Sequence, residues 1–234
     1  MLIRETQQLS KRSDLPAATV VKSERMYLSE RAQIYDWLRS FFLEGPNPEL
    51  FDRLELLHLA QASYLQAERT LETDLISSLV ELKDSAGNFV RSGNLTPLQT
   101  EFTRLFIGPG KAPAYPYESL YRSPKGMLMT EVTSEVRNFY LEQGLLMQQL
   151  YSVPEDHLGI ELEFIYYLKL KMLEKPEDIP ALNIIQESFL REHVLSWIDH
   201  FTEDVLANTQ EPFFRHLARF LRSFLHWDSV LLTA

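Results

Sequence analysis

The chain has 234 residues, with 23 lysines and arginines against 33 aspartates and glutamates, a net charge of −10, and no cysteine. An acidic balance of that size argues against a nucleic-acid partner, whose affinity rests on neutralising phosphates, and favours cationic partners. The lack of cysteine excludes disulfides, iron–sulfur ligation and thiol catalysis.

Hydrophobic residues make up 45% of the chain, enough for one large globular domain or two small ones. No run approaches the roughly 18 apolar residues that cross a bilayer. The opening MLIRETQQLSKRSDLP has charges but no apolar core of a secretory signal. Cytoplasmic residence without stable membrane insertion is the expectation.

Residues 1–23 are polar, with scattered charge and Pro16, so a mobile N-terminal arm is expected ahead of a helical body over 24–234. Over 24–43, Tyr27, Leu28, Ile34, Tyr35, Leu38, Phe41 and Phe42 cluster at helical spacing, and Gly45 with Pro46 ends that helix. Leu50, Leu54 and Leu57 predict a short helix, and a longer one is expected over 64–83. Residues 84–94, containing Gly87 and Gly93, read as a polar turn. Thr96 and Pro97 then read as cap and first-turn residue of a helix carrying Leu98, Phe102, Leu105 and Phe106 on one face.

That helix must break at Gly108, Pro109 and Gly110, with Pro113 and Pro116 close behind, because proline removes a donor and fixes φ while glycine opens φ > 0. The loop that results carries Tyr115, Tyr117, Glu118, Ser119 and Tyr121, more aromatic and polar groups than a connector needs. Two readings stand: tyrosines packed on the core, or a recognition loop. A helix is expected over 127–143, with Gly144 as its cap or 145–150 as its continuation. The stretch SVPEDHLG at 152–159 opens a helix reaching about residue 173 that is apolar nearly all round, so it belongs mid-bundle. KPEDIP at 175–180 is a short charged linker and a hinge candidate over 174–180, which leaves both monomer and homodimer open.

One helix is expected from Phe189 through Val194, Trp197 and Phe201 to Val205, and another through Phe213, Leu217, Phe220 and Phe224, antiparallel across a short loop. No alternating β-branched run of strand length occurs. The fold class is all-α, a single globular bundle of roughly eight to ten helices.

Catalytic chemistry finds little footing. Asp156, His157, Glu161 and Glu163 lie close together, with His157 and Glu161 four apart, but a carboxylate-bridged two-metal bundle uses two Glu-x-x-His pairs and here only Glu55 and His58 have that spacing. Gly108-Pro109-Gly110-Lys111 lacks the spacing and hydroxyl of a phosphate loop, and Ser119 sits on no strand-to-helix elbow. No metal, cofactor or catalytic residue is expected. Asp156 itself has two readings, a helix-start acid after Pro154 or a member of a binding site.

Phe102-x-x-Leu105-Phe106, Gly108-Pro109-Gly110, Glu118-Ser119-Leu120-Tyr121 and Pro154-Glu155-Asp156-His157, in that order, resemble the signature of the TorD/DmsD family of twin-arginine leader-binding chaperones, across about residues 25–228. Members often carry an acidic residue where this chain has Val153. The resemblance implies a non-enzyme, in the cytoplasm, whose partners are a twin-arginine signal peptide and the apo form of a molybdopterin oxidoreductase awaiting its molybdenum cofactor. It implies a peptide site with Glu118, Glu155, Asp156 and Glu161 as acids beside Phe102, Leu105, Phe106, Tyr115 and Tyr117, with Ser119, Pro154 and His157 completing it. The rival readings are an enzyme or metal-binding protein using Asp156 and His157, or a general helical adaptor.

Overall fold

The computed structural model describes residues 17–59, 69–146 and 153–233. Most of the expected arm, the start of the 64–83 helix, and parts of the 145–150 and 152–159 stretches lie outside the described residues. The fold is all-α: α1 (Ala17–Glu44), α2 (Pro48–Leu56), α3 (Arg69–Ser92), α4 (Thr96–Phe102), α5 (Glu118–Arg122), α6 (Glu131–Glu142), α7 (Leu158–Glu174), α8 (Ile179–Glu192), α9 (Ile198–Asn208) and α10 (Pro212–Thr233). Short 3-10 turns at Pro176–Asp178 and Val194–Ser196 join α7 to α8 and α8 to α9.

α1 lies along α7, α10 along α3, and α9 beside α10, while α8 bridges α7 and α10. The α1–α7 contact requires a glycine: a Cβ on Gly159 would stand 2.6 Å from Leu43 Cγ and 3.2 Å from the Arg39 carbonyl. Where the helices converge, Phe41, Phe42, Phe102, Phe106, Phe201 and Phe214 pack mostly edge to face, with centroids 5.1–6.2 Å apart, the geometry that ring quadrupoles favour.

A polar knot sits inside this apolar body. Asp228 on α10 is fully buried and accepts from Tyr35 Oη at 2.8 Å, Gln186 Nε2 at 2.7 Å and Arg31 Nη1 at 2.9 Å, with the fully buried Lys169 ammonium 3.2 Å away. It ties α1, α7, α8 and α10 together.

Several boundaries differ from the sequence reading. α1 opens at Ala17, inside the expected arm, since Ala17, Ala18, Val20 and Val21 carry nothing that breaks a helix. α3 runs through Gly87 to Ser92 in place of the expected turn. Leu82 and Ala86 are fully buried on its packed face, and that packing outweighs the roughly 1 kcal/mol that an interior glycine costs. Thr96 is the first residue of α4 and not its cap; the Asn94 side chain accepts from its N–H at 3.1 Å. Residues 127–130 are not helical, Met129 having φ 56°, so α6 starts only at Glu131. The single helix expected from Phe189 to Val205 is broken at His193, whose φ −110° and ψ −81° leave the helical region.

Candidate functional site

α4 does not stop at Phe102 but widens into a π turn over Thr103–Ile107, closed by the Gly108 N–H on the Thr103 carbonyl at 2.8 Å. Gly108 has φ 102°, and a Cβ there would lie 2.8 Å from the Gly110 carbonyl, so the turn admits only glycine. The loop then folds back on the helix: Ala114 N donates to the Leu105 carbonyl at 3.0 Å, and Tyr115 Oη donates to the Gly110 carbonyl at 2.7 Å.

At its far end this loop meets the second motif directly. Tyr117 and His157 form an isolated antiparallel bridge. Glu118 N donates to the Asp156 carbonyl at 3.0 Å and Leu158 N to the Pro116 carbonyl at 2.9 Å, while the Tyr117 and His157 rings stand edge to face at 4.9 Å. The Asp156 carboxylate accepts from Ser119 N at 2.8 Å. Asp156 is therefore a helix-start acid, but for α5 and not for its own helix. α7 is capped instead by His157, whose Nδ1 accepts from Gly159 N at 3.0 Å. That bond places the imidazole proton on Nε2, and burial lowers the His157 pKa to about 4, so the ring is neutral at physiological pH.

Under the bridge four acids converge. Glu118, Asp156 and Glu161 are fully buried and Glu155 nearly so. Glu155 receives a two-pronged fork from Arg137, Nε to Oε1 at 2.6 Å and Nη2 to Oε2 at 2.9 Å; burial opposes ionisation, but the fork keeps this carboxyl below the usual range. Glu118 pairs with Arg122 four residues on and has His193 Nδ1 3.2 Å from both its oxygens, with Ser196 Oγ at 3.5 Å. Glu161 accepts from Trp197 Nε1 at 3.2 Å. Burial first, and then Glu118 beside it, push the Glu161 carboxyl well above the usual range. Its Oε1 has no hydrogen-bond partner among the described residues. Tyr140 lies among all four acids, and burial first and then the acids around it raise its phenol well above the ordinary value.

The expected site residues thus divide. Tyr115, Tyr117 and Pro154 are half-buried at the rim. Phe102, Leu105 and Phe106, expected along an apolar groove, lie in the core at 7, 0 and 3% exposure, Phe102 packing on Phe41 and Phe106 on Phe42, Phe201 and Phe214. Glu118, Ser119, Glu155, Asp156, His157 and Glu161 do come together, but below the surface. The partners Arg122, Arg137, His193 and Trp197 escaped the sequence reading. Arg122 had a signal, an i,i+4 spacing from Glu118; the others arrive from distant helices. Among the described residues no group of three or more His, Asp or Glu is disposed to hold a metal.

Asp156→Asn keeps an acceptor for Ser119 N–H and is expected to leave the melting temperature nearly unchanged, whereas Asp156→Ala removes it at a cost of about 1–2 kcal/mol. Equal losses in thermal melts of the two variants would assign the role to the charge and not to the bond.

A family model described as "Nitrate reductase delta subunit" matches residues 68–203, more than half of the chain. Curated relatives named "Chaperone protein TorD" are similar over most of its length. The one from Vibrio vulnificus (strain YJ016) is 26% identical over 88% of this chain and 95% of its own. Those from Aliivibrio fischeri and Vibrio cholerae El Tor are 24 and 27% identical, each over 85% of this chain and at least 90% of their own. These names are those of chaperones and not of enzymes, in keeping with a non-catalytic role. With its two motif stretches fused by backbone hydrogen bonds, the chain belongs to the nitrate reductase delta subunit family, in which the TorD chaperones fall.

Proposed function

We propose that this protein is a cytoplasmic chaperone that binds the twin-arginine signal peptide of a molybdenum-cofactor oxidoreductase and assists insertion of the cofactor before export. The observation that carries the reading is the bridge between Tyr117 and His157, which gathers both motifs into one rim. That rim offers Tyr115, Tyr117 and Pro154 at half exposure, with Ile107 60% exposed at the foot of the loop. Beneath it lie carboxylates that already hold guanidinium groups. A leader presents a basic segment followed by an apolar one, and this surface offers acids under an aromatic edge. An unfolded leader loses entropy on ordering, which suits a reversible complex released before export. Among the described residues no helix is long and apolar enough to cross a membrane, in keeping with a partner held before translocation.

The test is titration calorimetry with a synthetic leader peptide and its twin-lysine version. The arginine peptide is expected to bind about tenfold more tightly, since planar guanidinium forks suit carboxylates better than ammonium points, and both should weaken with added salt. Equal affinities would remove the charge-fork reading.

A further inference from the structure

Glu118 is fully buried, yet its arginine partner is not: the Arg122 side chain is 31% exposed. The stem of Arg122 therefore runs inward from the surface and its guanidinium ends on a carboxylate inside. Its Nη2 also stands 3.7 Å from Glu135 on α6, a side chain 49% exposed. Arg122 lies between a buried acceptor and a solvent-facing one. Arg137 is placed differently, with both prongs of its fork committed to Glu155.

We infer that Arg122 is an internal stand-in for a guanidinium of the bound partner: Glu118 is a guanidinium-receiving site that an incoming arginine occupies by exchange, as Arg122 passes to Glu135. The inference deepens the leader reading above and rests on it for the source of the arginine. Exchange is favoured over addition because a buried carboxylate left without a partner is costly, and replacing one guanidinium with another keeps Glu118 paired at both ends of the step. The displaced Arg122 keeps a carboxylate as well.

The other groups on Glu118 would hold it in place meanwhile. These are His193 Nδ1 and Ser196 Oγ, neither of which is a planar fork. Guanidinium brings five N–H donors, more than Glu118 alone can accept. Two fully buried acceptors are left over beside it, Ser119 Oγ one residue along the chain and Asp156 Oδ1 across the bridge, and neither has a partner among the described residues. They can take the N–H groups that Glu118 does not.

Two measurements test this. In thermal melts, Arg122→Gln is expected to melt below the wild type and to be restored by methylguanidinium but not by methylammonium, while the wild type responds to neither. In calorimetry the twin-arginine peptide is expected to bind Arg122→Gln about tenfold more tightly than wild type, because the internal competitor is gone, and to bind Glu135→Gln more weakly. Absence of a methylguanidinium response specific to the variant overturns the inference whatever the peptide does. If the response is present and the wild type ignores the peptide, the leader reading falls while Glu118 stands as a guanidinium site. If the wild type binds the peptide and Arg122→Gln binds it no more tightly, exchange is overturned and the leader reading survives. Should Arg122→Gln fail to fold, Arg122→Met keeps much of the stem without a competing cation and carries the same expectations.

Discussion

Asp228→Ala is expected to lower stability by about 3–5 kcal/mol, the range for removing one partner of a buried ion pair, read as a fall in denaturant midpoint at unchanged slope. The loss is large because Tyr35, Arg31, Lys169 and Gln186 all converge on this one carboxylate. Lys169 and Arg31 overcome burial and hold its pKa below the ordinary value, so the stability it contributes is present above about pH 4 and lost as pH falls further. Lys169 acts in the opposite sense. Burial first, and then Arg31, lower its pKa to about 7, against about 10.4 in an unfolded chain. Between those values the folded chain binds fewer protons than the unfolded one, so its contribution to stability rises with pH from about 7 to about 10. Measured against Lys169→Met, the wild type should gain stability across that window; a flat difference would mean that Lys169 stays charged.

The second large effect is expected at Phe106. It is 3% exposed and its ring touches those of Phe42, Phe102, Phe201 and Phe214, so Phe106→Ala should cost about 3–5 kcal/mol as a core truncation. Tyr117→Ala, at the rim, should cost much less stability and weaken the leader peptide. The pair of variants separates two residues that one motif region contains. Were Phe106→Ala to melt like the wild type and lose only peptide affinity, its ring would belong to the groove and not to the core.

The chain announced its helices through apolar periodicity, and the glycine and proline punctuation after Ile107 marked the loop correctly. It failed where long-range packing overrode local preference. Gly87 looked like a turn because nothing nearby reveals that α10 packs along this helix and that Ala86 is buried. His193 looked like mid-helix because its break serves Glu118, 75 residues away. The motif residues were recognisable as a set, yet their depth was not. A cluster of acids in sequence looks the same whether it faces water or is matched inside by Arg122, Arg137 and Trp197, and only the fold supplies those partners. Asp156 illustrates the point: one of its two sequence readings made it the acid at the start of the helix that follows, whereas its carboxylate caps α5, reached across the bridge.

The three tryptophans of the chain, Trp37, Trp197 and Trp227, are all 5% exposed or less, so their indoles emit from a rigid, dry interior and the native protein should fluoresce at short wavelength. Trp37 spends its N–H on the Leu50 carbonyl, far along the chain from either motif. Trp197 donates to Glu161 and stacks on Tyr121 with centroids 5.4 Å apart. Any rearrangement of the acids beneath the rim changes the field at that one indole while the other two stay in place, so the site carries its own optical reporter and needs no attached label.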